Sequence, residues 1–361
     1  MGALSSRPPM PLAAQEPARK AQRPPFDPAA AHLVDSFRNT SPLQNLHHGR
    51  CLLDEAQRAV YHPLRLAPAA VVPAVVPVDD DARGAVTVHV VRAPWADPEG
   101  DALLPGIVYV HGAYGDFATH ERLARTLADR TGAAIVFVDY DRAPDAPWPV
   151  AERQVAGVLT WLATCGDRVG VDGTRLALVS DGLGAHIASL AALSIAADPE
   201  VAPRMHAQVL VCPILDAPQN IRPTNGNNSN HKNNNNSDNN DGDNRDGRNG
   251  DEVCLPWTTC DAMAHAWRAY APDPSRSPLV AKGSLMRLLP PTLVVTADRD
   301  VASSQGHAYA DVLIRAGAPV QMASYADVPH DFWVLDALAD TPSAAGATDL
   351  VADFVAHAFA R

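Results

Sequence analysis

Cysteine, positive charge and long apolar runs are all scarce in this chain, and each shortage excludes something. Its five cysteines, Cys51, Cys165, Cys212, Cys254 and Cys260, are odd in number, widely spaced and never in a CxxC pair. That argues against a disulfide framework and against a zinc site, and it fits a reducing interior. Lys and Arg total 29 against 41 Asp and Glu, a formal net charge of -12. A general binder of nucleic acid or of anionic membrane needs the opposite balance to meet phosphate, so no nucleic-acid partner is expected. No uninterrupted apolar run approaches the roughly 20 residues that cross a bilayer. The Pro/Ala-rich start also lacks the apolar centre of a signal peptide. A cytoplasmic protein without a transmembrane segment is therefore expected. The opening Met1-Gly2-Ala3-Leu4-Ser5-Ser6 satisfies the short pattern for N-myristoylation at Gly2, a match that often arises by chance.

What the chain does contain is an alternation of β-branched runs and helical spacings. Val86–Arg92, Ile107–Val110, Ala134–Val138, Leu176–Val179, Val209–Cys212, Leu293–Thr296 and Val320–Tyr325 read as strands. Helical spacing of apolar residues covers His120–Arg130, Val150–Thr164, Leu183–Ala196, His307–Ala316 and Thr348–Phe359. The alternation predicts an α/β fold with a mostly parallel central sheet and helices on both faces. Residues 1–25 read as a disordered Pro/Ala-rich tail before a single domain over 26–361. Within that domain, two amphipathic segments, Ala29–Phe37 and Leu52–Tyr61, form an N-terminal cap over about 26–65, and a small cap or lid helix spans about 256–272. Residues 219–251 are Asn-rich with almost no apolar groups, and read as a solvated low-complexity insertion.

Acyl-transfer chemistry on such a sheet needs four things at strand ends. These are a nucleophile on a sharp strand-to-helix turn, a histidine base, an acid that orients it, and backbone N–H groups for an oxyanion. The strand Ile107-Val-Tyr-Val-His-Gly112 ends in His-Gly. Val136-Phe-Val-Asp-Tyr-Asp-Arg-Ala-Pro-Asp-Ala-Pro-Trp-Pro149 is a strand plus loop with a tyrosine and then Ala-Pro, two residues and a proline. Val171–Ser180, Pro291–Ala297 and Pro329-His-Asp-Phe332 follow in order. In these motifs the chain resembles the hormone-sensitive-lipase-like esterases of the α/β-hydrolase fold, over roughly residues 26 to 361 apart from the Asn-rich insertion. The resemblance implies that Asp300 falls at the position of the triad acid and His330 at that of the base. It also implies that the loop opening with His111, Gly112, Ala113 and Tyr114, together with Leu183, borders the oxyanion and binding site.

Against that resemblance three departures stand out. Family members carry the nucleophile in Gly-Asp-Ser-x-Gly-Gly, whereas this chain reads Ser180-Asp181-Gly182-Leu183-Gly184-Ala185, so Gly182 occupies the serine's position. Glycine adopts the strained turn easily but has no oxygen to offer. Ser180 lies two residues earlier, some 6 to 7 Å back along the chain, whereas attack requires atoms within about 3.5 Å. The second departure is in the oxyanion loop, where His111-Gly112-Ala113-Tyr114-Gly115-Asp116 replaces His-Gly-Gly-Gly, with a loop about two residues shorter and the bulk of Tyr114 where bare backbone normally faces substrate. Third, Val301–Gly306 lacks the charged cluster that relatives carry after the acid.

The expectation is an esterase-like or lipase-like pseudoenzyme, in which the pocket for a small ester or apolar metabolite persists and serine-dependent hydrolysis does not. Plant gibberellin receptors, which resemble the same esterases and lack one triad member, show by analogy that the fold can serve this way. Two alternatives stay open. One is an active hydrolase or a non-hydrolytic enzyme, performing elimination or cyclisation, that uses His330–Asp300 as a general base; the other is a non-catalytic scaffold working through the Asn-rich insertion. Nothing in the pattern asks for a cofactor or metal, and a homodimer is compatible with it. His47-His48 read as a surface pair, His186 as a helix-packing residue, and Trp257, Trp267 and Tyr270 as the packing of the lid.

Overall fold

Short β-branched segments become the strands of one sheet, and the helices between them carry the chain back across its faces. The computed structural model describes residues 26–58, 66–97, 99, 102–198, 203–217, 254–270 and 277–361. Its strands are β1 Ala70–Pro77, β2 Ala85–Arg92, β3 Leu104–Val110, β4 Ala134–Asp139, β5 Val171–Asp181, β6 Met205–Val211, β7 Thr292–Ala297 and β8 Val320–Tyr325. The helices are α1 Pro28–Ser36, α2 Leu46–Arg58, α3 Phe117–Thr131, α4 Val150–Cys165, α5 Gly184–Ala196, α6 Cys260–Tyr270, the single turn α7 Gly283–Met286, α8 Ser303–Ala316 and α9 Pro342–Phe359. The sheet order is β1-β2-β4-β3-β5-β6-β7-β8. Strand β2 runs antiparallel to β1 and β4, and every other pairing is parallel. The expected α/β architecture is the observed one.

The two-residue period of the strands divides the core into two layers. Val108, Val136, Leu178, Leu210 and Val294 face the side covered by α4, α5 and α8. Ile107, Tyr109, Ile135, Phe137, Val179, Val209 and Leu293 face the side covered by α1, α2, α3 and α9. A central parallel strand is thus apolar on both faces, which is why β3 and β4 read as nearly continuous apolar runs.

Strand β1 escaped the sequence reading. Its Ala-Val-Val-Pro-Ala-Val-Val-Pro run carries two prolines, which lack the ladder N–H and so argue against an interior strand. It lies at the edge of the sheet, where Pro73 sits opposite His89 and Val72 and Val75 remain exposed. Helix α2 begins earlier than expected, at Leu46, and the end foreseen at Tyr61 lies outside the described residues, as do the Pro/Ala-rich tail 1–25 and the Asn-rich segment 219–251. No helix among the described residues is long and apolar enough to cross a membrane.

Three local devices aim the site. Asp116 accepts from the backbone N–H of Thr119, whose hydroxyl accepts in return from Asp116 N–H, so a capping box fixes where α3 starts after the β3 loop. Gly184 starts α5 directly beneath β3, and a Cβ there would overlap the carbonyls of Val110 and His111. Parallel strands β3, β5, β6 and β7 then all end on one side, where sheets of this kind place their ligands.

Candidate active site

The turn between β5 and α5 is tight. Gly182 adopts φ +50, donates its N–H to Val211 O at 3.1 Å and accepts from Ile214 N at 3.0 Å. A Cβ built on Gly182 would lie 3.6 Å from His330 Nε2, so a side chain at this position would point at the imidazole. Ser180 is fully buried one turn of the pleat earlier, and its hydroxyl donates to Val209 O at 3.2 Å. That hydroxyl faces the interior of the sheet and does not border the cavity.

His330 and Asp300 come together from the loops after β8 and β7. Nδ1 of His330 donates to Asp300 Oδ2 at 2.8 Å, and the other oxygen of Asp300 accepts from Ala302 N at 2.8 Å. The opposite nitrogen, Nε2, lies 3.3 Å from Oδ1 of Asp331. Asp331 has a left-handed backbone, φ +61, and its second oxygen accepts from the indole N–H of Trp257 at 2.9 Å. Burial alone would lower the imidazole of His330, but the carboxylates of Asp300 and Asp331, with Asp181 behind them, raise it to about 9. Burial raises the carboxyl of Asp331 above the ordinary carboxylate range in spite of the adjacent His330. The sequence reading passed over Asp331, whose only signal was a carboxylate next to the candidate base.

Asp181 was also missed. Its buried carboxylate accepts from Tyr109 OH at 2.8 Å and from the backbone N–H of Gly112 at 3.0 Å, and it lies 3.3 Å from His120 Nε2. Burial opposes its ionisation, but His120, Tyr109 and His111 outweigh burial and hold its carboxyl below the ordinary value. Gly112 can come this close because a Cβ there would meet Asp181 Oδ2 at 2.9 Å. The loop is braced elsewhere as well. Tyr140 donates to His111 O at 2.8 Å, and Arg142 donates to Gly115 O at 2.7 Å. The ring of His111 stacks between Phe137 and Tyr140, and burial, helped by His120, pushes its imidazole down to about 3. His111 is therefore a neutral structural ring, while Gly112, Ala113, Tyr114 and Leu183 line the cavity.

Helices α2 and α6, expected from the sequence as cap elements, contribute Leu53 and Met263, Ala266 and Trp267 to the cavity wall. Tyr114 rises from the β3 loop, seats its ring where Gly49 of α2 has no Cβ, and donates to Ala262 O of α6 at 3.1 Å. Trp257 and Trp267 are buried against the cavity, and the indole N–H of Trp267 has no hydrogen-bond partner among the described residues. His186 does not border the cavity; it packs on Trp267 and meets Tyr270 OH at 3.2 Å, joining α5 to the lid. The free volume of the cavity is about 30 Å³, enough for about two waters at roughly 10–15 Å³ each.

Two groupings bear on metal binding. Cys212, Asp300 and His330 bring donor atoms within 4.8 Å of one another. Nδ1 of His330 already donates to Asp300, however, and burial with nearby Asp300 pushes the Cys212 thiol well up, so the trio is arranged as a hydrogen-bonded pair beside a neutral thiol. On the exposed face of α2, His47 Nε2 lies 3.7 Å from Cys51 Sγ, a four-residue spacing that the sequence reading overlooked. Two donors fall short of the four that a structural zinc site uses.

Comparison with known proteins agrees with this fold. A model of the family described as alpha/beta hydrolase fold matches residues 107–334. Ethyl acetate hydrolase from Pseudomonas putida is 30% identical over 244 residues, covering 65% of this chain and 69% of that protein. Esterase LipI from Mycobacterium tuberculosis is 26% identical over 322 residues, covering 86% of this chain and 89% of its own. Among solved structures, a thermostable esterase from Pseudomonas putida ECU1011 superposes with a TM-score of 0.76 at 26% identity, over 92% of this chain and 98% of that one.

Proposed function

The chain belongs to the alpha/beta hydrolase fold family, and we propose that it has lost serine-dependent ester hydrolysis at Gly182 while keeping a pocket for a small apolar or acyl-type metabolite. The observation that carries this reading is the turn itself. Gly182 holds the left-handed backbone of a nucleophile's seat and faces His330, yet it presents no oxygen. Ser180, two positions earlier in the sequence, is engaged with Val209 O. A retained pocket is supported by the buried, unpartnered N–H of Trp267 at the cavity wall, a donor suited to a carbonyl or ether acceptor. The relatives' names, ethyl acetate hydrolase and esterase among them, support small esters or molecules of that size as the ligand class.

The alternative of His330 as general base for a bound water has room for the water but requires a neutral imidazole. The neighbouring carboxylates raise that ring to about 9, which favours its protonated form at neutral pH and weighs against it. Turnover of short p-nitrophenyl esters separates the two readings. The natural chain and His330→Ala are expected to give the same background rate at pH 7. Saturable hydrolysis by the natural chain that His330→Ala abolishes would overturn the proposal. Removal of the serine from a working triad lowers turnover about 10⁶-fold, so the assay has ample range.

A further inference from the structure

We infer that Asp331 is a positioning residue that holds His330 as an imidazolium, so that this histidine cannot serve as a base near neutral pH even with a serine at position 182. This deepens the reading of Gly182 as an emptied nucleophile seat. Its consequence for hydrolysis rests on that reading, but its geometry does not.

The charge of the ring turns on its two nitrogens. In a working serine triad one nitrogen faces a carboxylate and the other faces the nucleophile's hydroxyl, from which it takes the proton. A neutral imidazole carries one N–H and one bare lone pair. Here Nδ1 hydrogen-bonds to Asp300 Oδ2 at 2.8 Å, while Nε2 lies at ion-pair distance, 3.3 Å, from Asp331 Oδ1. Loss of the ring's charge would forfeit its attraction to two carboxylates in a buried site, where that attraction is poorly screened. The geometry therefore favours the imidazolium, with Asp300 on one side of the ring and Asp331 on the other.

Asp331 is held in this place rather than merely passing near it. Trp257 donates its indole N–H to the far oxygen, which fixes the rotation of the carboxylate. The backbone sits at φ +61, a conformation that side-chain-bearing residues adopt reluctantly and keep only where the surroundings over-determine it. The other groups facing His330 add to the effect or leave it alone. Asp181, at the end of β5, contributes a further negative charge. Cys212, at the end of β6, is a buried thiol kept neutral. His120 of α3 and Tyr114 of the β3 loop border the same cavity, with His120 turned to Asp181 and Tyr114 donating to the cap. Arg122 of α3 is engaged by Asp336 and by the carbonyls of Trp333 and Val334.

The test is a titration of the His330 ring by NMR in protein carrying labelled histidine. In the natural chain the ring is expected to remain an imidazolium through neutral pH and to titrate near 9. Asp331→Asn preserves size, tolerates the left-handed backbone and offers an oxygen to Trp257, and it is expected to weaken proton binding at His330 at least about tenfold, one pH unit or more. A neutral His330 ring at pH 7 in the natural chain would overturn the inference without any variant, and so would an unchanged midpoint in Asp331→Asn. The same change has a catalytic signature. The acid limb of kcat/KM for Gly182→Ser is expected near pH 9, and that of Gly182→Ser/Asp331→Asn at least one unit lower. Ester hydrolysis by the natural chain would sink the emptied-seat reading and leave the titration standing. A neutral ring would sink this inference and leave Gly182 without an oxygen all the same.

Discussion

The backbone N–H of Gly112 donates to the Asp181 carboxylate at 3.0 Å, across the gap between the loop after β3 and the end of β5. In an oxyanion loop such a donor would be aimed at developing negative charge on a substrate. Here it is engaged by a permanent one. The charge of Asp181 lies in a buried frame completed by Tyr109 and His120, so the contact is both the floor of the cavity and part of what holds two strand ends together.

Removing that charge is expected to cost stability as well as shape. In Asp181→Ala the Tyr109 hydroxyl, the Gly112 N–H and His120 all lose their buried partner, which is expected to destabilise the fold by about 3–5 kcal/mol. Asp181→Asn keeps an acceptor and is expected to lose about 1–2 kcal/mol. Urea unfolding of both variants beside the natural chain gives the comparison, and equal midpoints for the two would refute the frame.

The latch between Tyr114 and the cap is expected to be local. Tyr114→Phe retains the ring seated on Gly49 and removes only the hydrogen bond to Ala262 O, at a cost of about 1 kcal/mol. Amide exchange in α6 is expected to accelerate while exchange in β3 and β5 does not. Uniform acceleration throughout the domain would instead mean that the latch matters to the whole fold.

His330 also gives stability a pH dependence with a definite sign. Its folded value is raised above the ordinary 6.5 to about 9. It therefore contributes stability that is fully present below about pH 6.5 and is lost as pH rises through about 9. Denaturation midpoints of the natural chain are expected to fall across that window relative to His330→Gln, in which the contribution is absent. Parallel curves for the two proteins would show that the ring does not titrate there.

Legibility in the sequence followed the physical origin of each feature. The central parallel strands were readable because burial on both faces leaves apolar runs such as Ile107–Val110 with little else in them. Edge strand β1 was not, because its prolines are excluded only from interior positions and edge position is a property of the assembled sheet. Gly182, Asp300 and His330 were legible through motif order, and the fold brings them to one place. Asp181 and Asp331 each stand beside one of those residues in the chain, yet their importance depends on contacts with Gly112, Tyr109, Trp257 and the far side of the imidazole, which no spacing along the chain encodes. Tyr114 was foreseen as bulk in the loop, and its ring borders the cavity, but its hydroxyl reaches the lid.

Placing serine at position 182 is expected to carry a thermodynamic cost of its own. At φ +50 a residue with a Cβ is less stable than glycine by roughly 1–2 kcal/mol, so Gly182→Ser is expected to unfold at lower urea by that amount even where its side chain fits. Gly182→Ala separates the backbone from the hydroxyl, and similar losses for the two would assign the cost to the backbone.

The relaxed turn thus works as a ratchet. On the proposed reading, an exchange of serine for Gly182 would also release a tension that an esterase carries in order to hold its nucleophile ready, so a reversion would first surrender stability before any hydrolysis could reward it. Once other positions drift to use up the released margin, the route back to an esterase closes from the side of folding rather than of chemistry.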